Sequence, residues 1–309
     1  MNLDHLMSIS IEKQASDVHV LIQDGVACIR WRCFGLLSEM ESFINGASLA
    51  NRIKIAAELN IAETRRVQEG QFNHLYQSNE YCIRVSIMNS EHGEKFALRI
   101  LTPFVNRSLD TLGMNPHSLS ALKQNITQPY GLILVCGATG SGKTTTLYSC
   151  LSYINDGSRT IYTIEDPVEQ PMASLYQFEP DPSLNISTHD LLKAFMRQDP
   201  DVIMVGEIRD AKTADLAISA ALTGHLVMAT LHTNSALNIV HRCKNWNVDF
   251  FALVSTLKLV IHQSMQYIHG QQMPIFNCLQ PRWDERLPTC YEALIEQPTL
   301  WEHLEGNAP

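Results

Sequence analysis

The run Gly137-Ala138-Thr139-Gly140-Ser141-Gly142-Lys143-Thr144 satisfies the spacing G-x-x-x-x-G-K-[ST]. Glycines at these positions let successive backbone N–H groups curl around a phosphate. A helix N-terminus just beyond adds the positive end of its dipole. Lys143 is then placed to reach the β and γ phosphates of a nucleoside triphosphate, and the Thr144 hydroxyl to ligate magnesium. The chemistry needs a strand before the loop and a helix after it. Leu132 to Cys136 is an apolar run of strand type, and Leu147 and Leu151 share one face of a helix. The expected contacts to ATP are Gly137, Ala138, Thr139, Gly140, Ser141, Gly142, Lys143, Thr144 and Thr145.

Two further apolar runs end in carboxylates. In Asp199-Pro200-Asp201-Val202-Ile203-Met204-Val205-Gly206-Glu207 the strand delivers Glu207 where an acid beside a phosphate loop would hold the hydration shell of Mg2+. Ile161-Tyr162-Thr163-Ile164-Glu165-Asp166-Pro167 ends in two acids, one of which can polarise the attacking water, and Glu165 is the preferred base. Thr223-Gly224-His225 to His232-Thr233 sets two histidines at the two ends of one apolar run. A lone histidine in such a place is most often structural.

These residues need a scaffold, and the texture of the chain changes to supply one. Residues 1–101 mix alternating runs such as Ala27 to Arg32 and Tyr81 to Ser86 with a helical stretch around Leu49 to Ile61. That pattern describes a small α/β module with outward arginines. Residues 102–110, with Pro103 and the polar residues that follow Phe104, break both periodicities and read as a linker. Residues 111–309 alternate short continuous apolar runs with helices, the signature of buried parallel strands in an α/β fold. Expected strands are Leu132 to Cys136, Thr160 to Ile164, Val202 to Val205 and Leu226 to Leu231. The helix after Thr213 should stop at Gly224. A RecA-like P-loop NTPase core fits this order.

Composition narrows the class. The 309 residues are 45% hydrophobic and 18% charged, with mean hydropathy -0.08, an ordinary globular balance that excludes disorder, collagen and coiled coil. The most apolar stretch, Phe250 to Ile261, contains Ser255, Thr256 and Lys258 and is too short to span a bilayer. Met1 to Ser16 lacks the order of a secretory signal, which predicts a cytoplasmic protein. A net charge of -9 argues against a general nucleic-acid groove. Eight cysteines without a C-x-x-C pair are expected to be reduced and mostly buried.

Read in order, Ala15-Ser16-Asp17-Val18-His19, the phosphate loop, Ile164-Glu165-Asp166-Pro167-Val168-Glu169, Arg197 to Asp210 and Thr223 to Thr233 resemble the secretion ATPases of type II secretion, type IV pilus assembly and competence (the GspE/PilB family). The likeness runs from about residue 10 to about residue 265. It implies a homo-hexameric, Mg2+-dependent ATPase peripheral to the cytoplasmic face of the inner membrane. Such an ATPase drives a membrane platform protein and acts on pilins or pseudopilins only indirectly. By the same likeness Glu165 is the catalytic glutamate, Glu207 the Walker B acid, and His225 and His232 the couplers between nucleotide state and domain movement. The first domain resembles a PAS-like module whose Arg84 and Arg99 match arginines that reach the nucleotide. A short form without the family's N-terminal docking domain is expected.

The sequence also departs from the pattern. Arg30-Trp31-Arg32-Cys33-Phe34-Gly35 lacks the acid of Arg-x-Arg-x-Asp-Gly, and Ile261-His262-Gln263-Ser264-Met265 lacks the arginine of Ala-Gln-Arg-Leu. A four-cysteine metal loop is reduced to Cys278 and Cys290, so no zinc is expected, although His262 and His269 are further potential ligands. The chain is read as an enzyme with an abridged C-terminal subdomain. The alternatives are a nucleotide-binding structural subunit with little turnover, a pilus retraction motor and a DNA-translocating motor.

Overall fold

A computed structural model describes residues 2–101, 107–268, 271–283 and 287–304. The chain divides into two compact units, Met1–Pro103 and Phe104–Pro309. Among the described residues no helix is long and apolar enough to cross a membrane.

The first unit runs α1 (Leu3–Glu12), β1 (Ala15–Gln23), β2 (Val26–Cys33), β3 (Leu36–Leu37), β4 (Glu41–Phe43), α2 (Gly46–Ala56), β5 (Gln68–Tyr76), β6 (Asn79–Ser90) and β7 (Gly93–Leu101). Its antiparallel sheet has the order β3-β2-β1-β7-β6-β5, with β4 paired to β2. Alternation decides which face is covered. Val18 and Val20, Ile29 and Trp31, Ile83 and Val85, and Phe96 and Leu98 turn inward against Leu6 and Met7 of α1 and Leu49 and Ile53 of α2. The alternate residues form an uncovered face. Across it run Arg32, Asp17, Arg99, Arg84 and Gln71 as successive cross-strand neighbours.

Two polar groups inside this core are satisfied. The Trp31 indole N–H donates to Ser10 Oγ at 2.8 Å, and buried Lys54 pairs with Glu94 at 2.6 Å. The helix expected around Leu49 to Ile61 ends at Ala56 instead. Glu58 adopts φ 56°, and the chain leaves the helix through a loop whose Asn60 and Gln68 bond to one another.

The second unit opens with a 3-10 turn, Leu109–Thr111, whose Leu109 is already in the core. The expected linker therefore has a structured end, and its residues 102–106 lie outside the described residues. Then follow α3 (Pro116–Ile126), β8 (Gly131–Cys136), α4 (Lys143–Ile154), β9 (Ile161–Ile164), β10 (Tyr176–Phe178), α5 (Thr188–Phe195), β11 (Val202–Val205) and α6 (Ala211–Leu222). The unit closes with β12 (Leu226–Leu231), α7 (Asn238–Asn245), α8 (Phe250–Thr256), β13 (Leu257–Ile268), β14 (Gln271–Pro281), α9 (Tyr291–Glu296) and β15 (Trp301–Leu304).

Its sheet has the order β10-β9-β11-β12-β8-β13-β14-β15, parallel from β10 to β13 and antiparallel thereafter. Every residue of β8, β11 and β12 is buried, which is why these strands read as unbroken apolar runs. Leu132, Leu134 and Cys136 pack with α5 to α9 on one face, and Ile133 and Val135 with α3 and α4 on the other. α6 starts where Asp210 accepts the Thr213 N–H at 2.9 Å and stops before Gly224, φ 106°. This is a RecA-like core after a small α/β domain.

All eight cysteines are free, but only Cys136, Cys150, Cys243 and Cys278 are buried. Cys28 and Cys82 sit on the uncovered face of the first sheet and Cys290 caps α9 in solvent, so the expected burial holds for half of them. Among the described residues no three His, Cys, Asp or Glu side chains converge as a metal site. Cys278 lies within β14, its thiol pushed up to about 11 by burial, whereas Cys290 is exposed and His269 is outside the described residues.

Trp31 is fully buried, and its indole N–H donates to Ser10 Oγ. Trp31→Phe loses that bond and part of the ring volume, and is expected to lower unfolding free energy by about 1–3 kcal/mol in urea titration.

Candidate functional site

The parallel strands β9, β11, β12 and β8 point their C-terminal ends toward one edge of the sheet, where open α/β sheets bind ligands. The phosphate loop follows β8. Gly137 and Gly142 have φ of 150° and 85°, which side chains rarely adopt, and both press against β13. A Cβ on Gly137 would stand 2.1 Å from the Gln263 carbonyl oxygen, and one on Gly142 2.8 Å from Gln263 Nε2. Buried Gln263 also accepts the Thr146 hydroxyl at 2.7 Å. Sequence reading gave Gln263 no role, although it stands in the quoted stretch around residue 263.

Ala138, Thr139 and Gly140 are exposed, so the loop opens to solvent. Lys143 is 8% exposed, and its ammonium donates to the carbonyls of Gly137 at 3.0 Å and Ala138 at 2.9 Å. Burial pulls its pKa down, against the opposing charge of Glu207. Buried Ser141 Oγ has no hydrogen-bond partner among the described residues. The N-cap of α4, Gly142, offers no side chain to the first-turn N–H groups. An orphan hydroxyl, uncapped amides and a lysine resting on its own loop suit a polyphosphate. Thr144 and Thr145 are half-buried on the first turn of α4.

Glu207 follows β11. Its turn is tied by Gly206 N–H to Ile164 O at 2.7 Å, and by the Thr230 hydroxyl to Gly206 O. One carboxylate oxygen stands 3.2 Å from His232 Nε2, and the other accepts Arg209 Nε at 2.8 Å. His232 Nδ1 faces the Gly137 carbonyl at 3.2 Å. Carbonyl and carboxylate only accept, so a doubly protonated ring satisfies both and a neutral ring one. His232 thus stands between the phosphate loop and Glu207.

Glu165, at the end of β9, is 4% exposed. It accepts from the Tyr148 hydroxyl, from Thr163 Oγ1 at 2.6 Å and from Gln177 Nε2 at 3.1 Å. Its neighbour Asp166 is 62% exposed and takes Arg209 Nη1 at 3.1 Å. Tyr148, Thr163, Gln177 and Arg209 were not singled out from sequence. Tyr148 carried the only available signal, one turn beyond Thr144 on the helix that the phosphate loop opens.

The two histidines part company. β12 runs its whole length between them, roughly 20 Å at about 3.3 Å per residue. His225 stands at the far end, where Nδ1 bonds Ala220 O at 2.8 Å and finishes α6. Arg84 and Arg99 belong to the first unit. There Arg99 Nε donates to Asp17 Oδ1 at 2.9 Å. Partial burial pushes the Asp17 carboxyl up, but the bonds from Arg99 and Ser16 and the Arg99 charge outweigh it and hold it below its ordinary range.

A phosphate loop after the central strand of a RecA-like sheet, with an acid at the end of the neighbouring strand but one, defines a P-loop nucleotide-binding protein. The model described as "Type II/IV secretion system protein" matches residues 2–272. The Protein transport protein HofB homolog of Escherichia coli (strain K12) is 42% identical, over 98% of this chain and 69% of that protein. Type II secretion system ATPase E of Vibrio cholerae is 40% identical over 85% of this chain and 53% of its own length. The chain thus spans about half the length of the type II secretion relatives it matches. Among solved structures, the pilus retraction motor PilT with bound ADP superposes with TM-score 0.73 at 27% identity, covering 97% of this chain and 87% of that one. The Legionella pneumophila ATPase DotB gives TM-score 0.78 at 22% identity, over 95% and 85%, and shares the fold. The chain belongs to the Type II/IV secretion system protein family.

Gly137→Ala should force the phosphate loop away from β13, since the added methyl meets a backbone oxygen that no rotamer can move. Binding of a fluorescent ATP analogue is expected to weaken at least about tenfold, with a lower thermal midpoint.

Proposed function

We propose that this chain is the ATP-hydrolysing motor subunit of a type II secretion, type IV pilus or competence machine. The observation that carries the reading is the gathering of Lys143, Glu207, His232 and Glu165 at the C-terminal edge of one parallel sheet, around a glycine loop open to solvent.

The loop amides from Gly137 to Thr145 cradle the phosphates, and Lys143 exchanges two backbone carbonyls for β and γ oxygens. Thr144 and Glu207 are the residues that would hold Mg2+, which when bound neutralises charge on the transferring phosphoryl group. Glu165 orients the attacking water. Catalysis is then positioning plus charge neutralisation, without a covalent enzyme intermediate. His232, bonded to the loop and to Glu207, transmits the state of the phosphates to the end of β12. His225, at the other end of that strand, anchors the turn from α6 and relays the movement.

In this reading the subunits form a homo-hexamer on the cytoplasmic face of the inner membrane and push a platform protein, so that pilins or pseudopilins are extruded. Identities of 40% and 42% to the named secretion and transport relatives, against 27% to the retraction motor, favour extrusion over retraction. The net charge of -9 disfavours DNA as the cargo. No zinc belongs to the proposal.

Lys143→Ala is expected to abolish phosphate release and weaken ATP binding. Glu165→Gln and Glu207→Gln should bind ATP within about threefold of the parent and turn over at least about 100-fold more slowly. Normal turnover in either Gln variant removes the role given to that residue.

Arg84 and Arg99 are assigned to nucleotide held by a second copy, an arrangement in which a finger of this kind is worth roughly 10³ to 10⁵ in rate. Mixing inactive Arg99→Ala with inactive Lys143→Ala should then restore part of the turnover. Mixed assemblies that form and stay inactive would exclude an arginine supplied in trans.

A further inference from the structure

Glu165 is held more completely than a water-orienting carboxylate requires. A carboxylate offers about four acceptor directions. Thr163 and Gln177 fill Oε1, and Tyr148 takes one direction on Oε2. Among the described residues one direction remains without a donor, on Oε2.

The donors come from three separate elements. Tyr148 stands on α4, the helix that begins at the phosphate loop. Thr163 is on β9, and Gln177 is its direct cross-strand neighbour on the edge strand β10, whose register is fixed by Glu165 N–H to Phe178 O at 2.9 Å. Burial first, and then the bond to Glu165, push the Tyr148 hydroxyl far above its ordinary range, so it stays a donor.

Two of these side chains also grip the segment after Asp166. Gln177 accepts Met172 N–H at 2.6 Å and donates to Gln170 O at 3.0 Å. Gln170 N–H in turn approaches the Tyr148 hydroxyl at 3.4 Å. The carboxylate and residues 170–172 therefore share both holders.

We propose that Tyr148 and Gln177 are positioning residues for Glu165, fixing its carboxylate so that the single open direction on Oε2 is the one that meets the attacking water. The proposal rests on the reading of Glu165 as the water-orienting base. Neither side chain touches the phosphates in this account, and both act through Glu165. A misplacement of about 1 Å at such a group costs on the order of 10² in rate.

Steady-state phosphate release and ATP binding test this on the full chain with Mg2+ present. Tyr148→Phe keeps the ring and is expected to lower kcat about 10- to 100-fold, while KM and the affinity for ATP change less than about threefold. Gln177→Leu should give the same split at about tenfold. In a Glu165→Gln background, Tyr148→Phe should add no further loss to the residual rate, because its route to the chemistry is already gone.

An inactive Glu165→Gln beside a folded, ATP-binding Tyr148→Phe with full kcat would overturn the proposal and leave the base assignment standing. A further drop in the double variant would also overturn it. Normal turnover in Glu165→Gln removes the base assignment and the proposal with it. If Tyr148→Phe does not fold, Gln177→Leu carries the same expectation, and full kcat there is the overturning result.

Discussion

At Gly137 the phosphate loop passes so close to the backbone of β13 that no side chain could be added there, and the site is built on that approach. Gln263 meets the loop three ways, with its carbonyl under Gly137, its amide nitrogen under Gly142 and its amide oxygen on Thr146. The loop is thus braced by a strand that lies 126 residues further along the chain than Gly137. A brace of this kind removes conformational freedom from a glycine-rich segment before any ligand arrives, and pre-organisation lowers the cost of binding. It also makes the β13–β14 hairpin part of the support of the phosphate loop, which gives the C-terminal strands a reason to join the parallel sheet at β8.

Charge is the second organising constraint. Glu165, Asp166 and Glu207 crowd one edge of the sheet, a poor place for a polyphosphate unless each acid has its own partner. The structure separates them by partner. Glu165 is buried among neutral donors, while Glu207 and Asp166 share Arg209, and His232 takes the remaining oxygen of Glu207. Lys143 is left as the buried cation facing the loop. Neutral donors stabilise the Glu165 carboxylate without lending it a counter-charge. Arg209 instead spans two acids with an exposed guanidinium, an arrangement that incoming anions or a partner's side chains can rearrange at low cost.

Much of this was legible. β11 and β12 have the bounds that their apolar runs dictate, since strands buried on both faces leave no polar alternation to interpret. The phosphate loop is local chemistry at fixed spacing, so it needs no tertiary knowledge. What the sequence leaves open depends on longer range. Phe250 to Ile261 is one apolar run in sequence, yet it divides at Thr256 into α8 and β13, because hydrophobicity alone does not distinguish a buried helix from a buried strand. The helix expected to reach Ile61 stops when Glu58 turns left-handed, a choice set by the loop's bonds to Gln68. Tyr148, Gln177 and Gln263 received no role for the same reason: their value lies in a partner 17, 12 or 117 residues away.

β12 joins the phosphate-loop site at one end to a helix terminus at the other. Its middle is buried on both faces and cannot shift without disturbing the cores above and below it, since close-packed interiors transmit displacement rather than absorb it. At one end His232 bonds the phosphate loop and Glu207, and at the other His225 bonds the last turn of α6. Thr230, one residue inside the first end, holds the turn that carries Glu207. In the proposed motor, a change at the phosphates that alters the His232 bonds would act on a rigid bar whose far end is fastened to a helix terminus. Under that proposal the histidines suit the two ends because each ring has two polar edges, and a bar needs a fastening at both ends to pass a local change of hydrogen bonding to a helix.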